Sequence, residues 1–155
     1  MSFRVTGLSP EPFRHLYGLS DEALRAVGVQ RLVADEKPGF PDRVELREAD
    51  PGEALLLLNY THQPAVNAYR SSHAIFVLEG ATCAYDRTDE IPQVMRVRPL
   101  SLRGFDKNDL MIDADIIDGG QIEDLIKRLF ANSAVEYIQA HYARRGCYAG
   151  RIDRA

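Results

Sequence analysis

Two cysteines in 155 residues, Cys83 and Cys147, are too few and too far apart to make a disulfide framework. No stretch approaches the roughly 20 consecutive apolar residues that a membrane-crossing helix needs. The opening MSFRVTGLSPEPF lacks the apolar core of a secretion signal. These absences predict a cytoplasmic protein with reduced thiols and no membrane partner. Internal repeats, low-complexity tracts and Gly/Ser/Pro linkers are also missing, so residues 1–155 are predicted to form a single domain. There is no nucleophile elbow, no phosphate loop, no cofactor signature and no metal spacing. His62 and His73 lie eleven apart, and His141 and Cys147 six apart, neither of which is a zinc pattern.

What is present is ordinary for a globular chain: 45% hydrophobic and 27% charged residues. Disorder would need less hydrophobicity and more net charge. The net charge of −4 gives no electrostatic footprint for nucleic acid. The charge is uneven, however. The last twelve residues carry Arg144, Arg145, Arg151 and Arg154 against Asp153, while the other 143 carry 15 basic and 22 acidic groups. Four arginines are too few to read as a nucleic-acid site, so pairing with the acidic body is the expectation. Sixteen of the 19 basic residues are Arg, which binds carboxylate and phosphate in bidentate fashion.

The pattern along the chain predicts an α+β fold. It consists of a mainly antiparallel sheet of about six or seven strands, one long helix at about 119–131 and short N-terminal helices. Ser9 before Pro10, and Ser20 before Asp21 and Glu22, mark two helix starts; Gly28 marks an end, with Leu24 and Val27 inward. VQRLVAD reads as a strand. RVELREADPGEALLLLNY reads as a hairpin with Val44 and Leu46 on one face and a type II turn at Asp50-Pro51-Gly52. Leu55–Leu58 and Ala74–Leu78 are apolar on both faces and are predicted to be antiparallel neighbours at the centre of the sheet. QVMRVRPLSLRGFD and LMIDADIID form a second hairpin. An even pairing register puts Leu100, Leu102, Ile112, Ala114 and Ile116 on its inner face. Asp113 and Asp115 then face Arg103 across the strands, and Arg96 and Arg98 read as ion-paired in the same way. Ile122, Leu125, Ile126 and Leu129 recur at helical spacing. AVEYIQAHYA either extends the helix past Asn132-Ser133 or forms a strand; its Tyr, Ile and Val favour the strand, which makes RRGC a turn and CYAGRIDR the last strand.

Residues 59–73, NYTHQPAVNAYRSSH, then become a fifteen-residue excursion between the two central strands. Long loops on rigid scaffolds carry function. This one offers Tyr60, His62, Arg70, Ser72 and His73, with Arg43 and Arg151 as residues the fold could bring near. Arg70 would supply N–H donors to a phosphate or carboxylate, and a histidine could move a proton near neutral pH. The competing interpretation is that these side chains satisfy the loop's own backbone. Cys147 follows Arg144 and Arg145, neighbours that activate a thiol, but a cysteine opening a strand also serves as a small buried hydrophobe.

KPGFPDR, ADPGEALLLLNYTHQPA, YRSSHAIFV and GCYAGRIDRA fall in order along the chain and together resemble the bacterial domain of unknown function 1203. The resemblance covers nearly the whole chain. It implies a small bacterial protein without an assigned activity, and it draws attention to NYTHQPA, YRSSH and GCYAGR. The family's first block runs Pro-Cys-Arg, whereas Pro41-Asp42-Arg43 stands here. Any mechanism needing a thiol at that place is in doubt, and Cys147 lacks a redox partner there.

Three readings remain open. One is a binding module for a small anionic ligand. Another is an enzyme using His62 or His73 for proton transfer in the same cleft, with Tyr60 or Ser72 as partner; Cys147 is a separate catalytic candidate, as a nucleophile. The third is a structural protein whose loop meets a second copy in a homodimer.

Overall fold

The computed structural model describes residues 1–155 as nine strands in two sheets, with short helices between them. The strands are β1 (Phe3–Thr6), β2 (Gln30–Val33), β3 (Ala54–Gln63), β4 (Ser71–Leu78), β5 (Asp86–Thr88), β6 (Pro99–Phe105), β7 (Met111–Asp118), β8 (Tyr137–Tyr142) and β9 (Tyr148–Arg154). Six of them form one antiparallel sheet in the order β5-β1-β9-β8-β6-β7, and β2-β3-β4 form the other. The α+β class and antiparallel pairing match expectation. The count exceeds six or seven because β1 and β5 are only four and three residues long. Elements that short carry almost no alternation for a sequence pattern to register.

Of the helices, α1 (Asp21–Ala26) starts where Ser20 accepts a hydrogen bond from Ala23 N at 3.1 Å. It buries Leu24, but Val27 points to solvent, and Val29 fills the inward place instead. The earlier helix is only a 3-10 turn at Arg14–Leu16. A single turn, α2 (Gln93–Arg96), replaces the expected start of a strand. A 3-10 turn at Gly119–Gln121 leads into α3 (Ile122–Phe130), which buries Ile122, Leu125, Ile126 and Leu129. These pack on Leu100, Leu102, Ile138, Ala140 and Ile152 of the larger sheet. A separate cluster around Leu55, Leu56, Ile75 and Val77 forms the core of the smaller sheet.

Leu55–Leu58 and Ala74–Leu78 are antiparallel neighbours as expected, but in a separate three-stranded sheet with β4 at its edge, not at the centre of a single sheet. Three further expectations are overturned, and each has a local cause. The 43–47 segment is not the first arm of a hairpin. The Asp42 carboxylate accepts from Val44 N and Glu45 N, and from Leu78 N at 2.8 Å, which coils the chain there. Such side-chain capture of backbone N–H competes with strand pairing. Leu46 adopts φ 51, and β3 pairs with β2 instead. The Asp50–Glu53 turn does form, with Gly52 at φ 95 and Glu53 N on Asp50 O at 3.0 Å.

The fifteen-residue loop is also shorter than expected. Tyr60 pairs with His73 and Thr61 with Ser72, with a bulge before Gln63, so only residues 64–70 connect the strands. The polar run continues the ladder because the strands outlast the core beneath them. Finally, β6 and β7 pair in the odd register, Leu100 with Ile117 and Leu102 with Asp115. One residue of slip moves every side chain to the other face. Ile112, Ala114 and Ile116 therefore lie on the face turned away from Leu100 and Leu102, and Ile116 is 66% exposed. Asp113 and Asp115 meet Arg128 of α3 at 3.5 and 3.3 Å, not Arg103.

Candidate functional site

Two polar groups of residues lie inside this frame. The first is a seam where the end of β3 rests on β8 and β9. His62 Nδ1 is 2.9 Å from Gln139 Oε1, and Gln139 Nε2 donates to His62 O at 3.0 Å. His141 Nδ1 is 3.0 Å from Gly146 O and Nε2 is 3.2 Å from Gln139 Oε1, two acceptors of which a neutral ring, with one N–H, serves one. Tyr148 stacks on His62 with 5.2 Å between rings. Next to it, Gln63 Nε2 donates to Tyr137 Oη, which donates to Asp109. Burial holds His141 down to about 3 and lowers His62 as well, so both rings are neutral near pH 7.

The second group lines a cleft of about 690 Å³ between the outer side of β4, the 36–43 segment and the β8–β9 turn. Its floor holds Arg43 and Cys147. Arg43 is 2% exposed. Its Nε donates to Tyr148 O at 2.6 Å, Nη1 to Pro41 O, and Nη2 to Cys147 Sγ at 3.2 Å. No carboxylate pairs with it: Asp42, its neighbour in sequence, is turned onto backbone N–H groups. A guanidinium forms five N–H bonds, so donors remain on both Nη atoms.

Tyr142 forms one wall, its ring 5.1 Å from both the Arg43 and the Arg98 guanidinium carbons. It is 5% exposed, and its hydroxyl has no hydrogen-bond partner in the protein. Burial pushes that hydroxyl up to about 12, so it is a neutral donor. Arg98 also meets Glu48. Arg144 and Arg145 stand at the rim, exposed and without an ion pair, and Glu36 is the one carboxylate in the lining. His73 lines the cleft too, with Nδ1 3.1 Å from Ala74 O.

The structure thus divides the residues singled out from sequence. Arg43, His73 and Cys147 share the cleft. His62 belongs to the seam. Tyr60 packs its ring on Phe13 at 5.5 Å, and Ser72 sits in the β3–β4 ladder. Arg70 binds back to Pro64 O at 3.0 Å. Arg151 pairs with Asp153 and lies 4.1 Å over the Tyr137 ring. Neither His62 nor His73 hydrogen-bonds a hydroxyl or a thiol. Tyr142, Arg98, Arg144 and Arg145 escaped the sequence reading as site residues. The signal for the last two was in view: adjacent arginines in a tight turn, beside the quoted GCYAGR block, with no acidic residue nearby to pair with. Arg98 is ion-paired as expected, with Glu48, and the pair lies at the cleft.

A family model described as protein of unknown function (DUF1203) matches residues 39–154. The chain belongs to that family. No curated protein and no solved structure matches it. The matched span includes the whole floor and rim of the cleft apart from Glu36.

Proposed function

We propose that the protein binds a small anionic ligand, bearing phosphate or carboxylate, in the cleft above Arg43. The supporting observation is the Arg43 guanidinium itself, a positive charge 2% exposed and without a carboxylate partner. Buried charge is costly unless paired. Carbonyl oxygens and a sulfur take three of its five N–H donors, and only an anion balances its charge. Arg144 and Arg145 would draw that anion in, and the Tyr142 hydroxyl offers it a donor. The ligand site therefore moves from the 59–73 segment to a cleft that takes one residue, His73, from it. Two unpaired cysteines fit a reducing, cytoplasmic setting in a bacterium, and the chain works as one domain.

Thermal denaturation in the presence of phosphate, nucleotides and small dicarboxylates tests this. A ligand at 100 times its Kd stabilises the folded state by about 2.7 kcal/mol, which raises the melting temperature. The Arg144→Ala/Arg145→Ala double variant should fold normally and lose most of that rise. The reading is wrong if no anion shifts the wild-type protein, or if the double variant responds as the wild type does.

A further inference from the structure

We propose that Cys147 is an exchange site for small disulfides that carry carboxylate groups, an inference that rests on the anion-binding reading of the same cleft. Cys147 follows Gly146, whose φ of 78 lets the chain turn sharply from β8 into β9 and puts the thiol on the cleft floor. The residue is 9% exposed, and the cleft is its route to solvent. Arg43 Nη2 is 3.2 Å from the sulfur, so a sulfur anion, the form that attacks a disulfide, meets a guanidinium N–H already held in place by two backbone carbonyls.

The surroundings point to what would arrive there. Four arginines line the cleft, of which Arg98 is paired with Glu48, against one lining glutamate, and the buried Tyr142 hydroxyl is unpartnered. A disulfide with carboxylates on its arms could place one of them against Arg144, Arg145 or Tyr142 while its sulfur reaches Cys147. The Cys147 sulfur attacks one sulfur of the small disulfide. A new S–S bond forms, the old one breaks, and the departing thiolate leaves with the electron pair and takes up the proton that Cys147 gave to solvent. Cys147 is oxidised, and half of the small disulfide is reduced. Cys83, the other thiol, is exposed and does not line the cleft, so the mixed disulfide has no internal thiol to resolve it. It persists until an outside thiol removes it.

The test uses the full chain carrying Cys83→Ser, which leaves Cys147 as the single thiol. Adduct formation is followed by mass with two probes, dithiobis(nitrobenzoic acid), which is anionic, and cystamine, which is cationic. Each rate is divided by that of a free cysteine amide, to remove the intrinsic reactivity of the probe. The expected result is a normalised rate at least about tenfold higher for the anionic probe at low salt, a gap that added salt closes. Arg144→Ala/Arg145→Ala should close it too, without loss of fold. If phosphate stabilises the protein but native Cys147 forms no adduct while the urea-unfolded chain does, exchange is refuted and the anion reading stands. Equal normalised rates for both probes, with no stabilisation by phosphate, would refute both.

Discussion

The seam and the cleft contain similar residue types, and they differ in what is left over. In the seam, Gln139 ties His62 to His141, and Tyr137 ties Gln63 to Asp109. The rings are neutral, and the aromatic faces are covered by Tyr148 and by one another. In the cleft, a charge is buried without a counter-charge, a hydroxyl is buried without a partner, and two arginines project into solvent. Polar groups that bond to one another hold two sheets together. Polar groups left unsatisfied around an opening wait for something else.

Four measurements would break or sharpen that contrast, taken from the largest expected effect to the smallest. Arg43→Ala removes the donors of Tyr148 O and Pro41 O and empties the floor of the cleft. It should cost about 3 kcal/mol in urea denaturation and abolish anion binding. Gln139→Leu strips His62 and His141 of their shared partner and should cost about 2 kcal/mol, yet leave anion binding as it was. If it weakened binding as much as Arg43→Ala does, the two regions would be one site.

The third measurement is of pH. His141 titrates near 3 in the folded protein and near 6.5 in the unfolded chain. The unfolded chain therefore binds the extra proton first. This contribution is complete above pH 6.5 and is lost progressively as pH falls from 6.5 towards 3, with a slope of at most about 1.4 kcal/mol per pH unit. His141→Phe should flatten that part of the stability profile without altering anion binding at pH 7. Smallest of all is Arg70→Ala. Its guanidinium only touches Pro64 O on the surface, so stability should change by less than about 0.5 kcal/mol and anion binding not at all. A lost thermal shift in that variant would return the ligand site to the 59–73 segment.

Legibility in the sequence followed the range of the physics. Helix α3 was readable because Ile122, Leu125, Ile126 and Leu129 recur within one element. The Asp50–Glu53 turn was readable for the same local reason, whereas β8 was legible only as the favoured of two alternatives, because its residues also fit an extension of α3. The β6–β7 pairing was legible, but its parity was not, because Ile112, Ala114 and Ile116 would also make a plausible core face. What decided against them was Arg128, on a helix thirteen residues beyond Asp115, which takes Asp113 and Asp115 to its own side. The cleft was least legible. Arg43, Arg98, Tyr142 and Cys147 meet only through pairings that span most of the chain. Arg43 attracted notice, yet no local pattern says that its carboxylate partner is missing.

Asp42 and Arg43 are adjacent and both buried, and they reach in opposite directions. The Asp42 carboxylate holds Leu78 N at the end of β4, and Arg43 N donates to Phe76 O in the same strand. The Arg43 side chain holds Tyr148 O at the start of β9, in the other sheet. Two residues thus act as a rivet through both sheets. A local opening of either sheet must drag the rivet with it, so the amides of β4 and β9 beside it should exchange their hydrogens at nearly the same free energy. The proposed ligand would then be felt far from its cleft: an anion that steadies Arg43 slows the opening of β4 and β9 together.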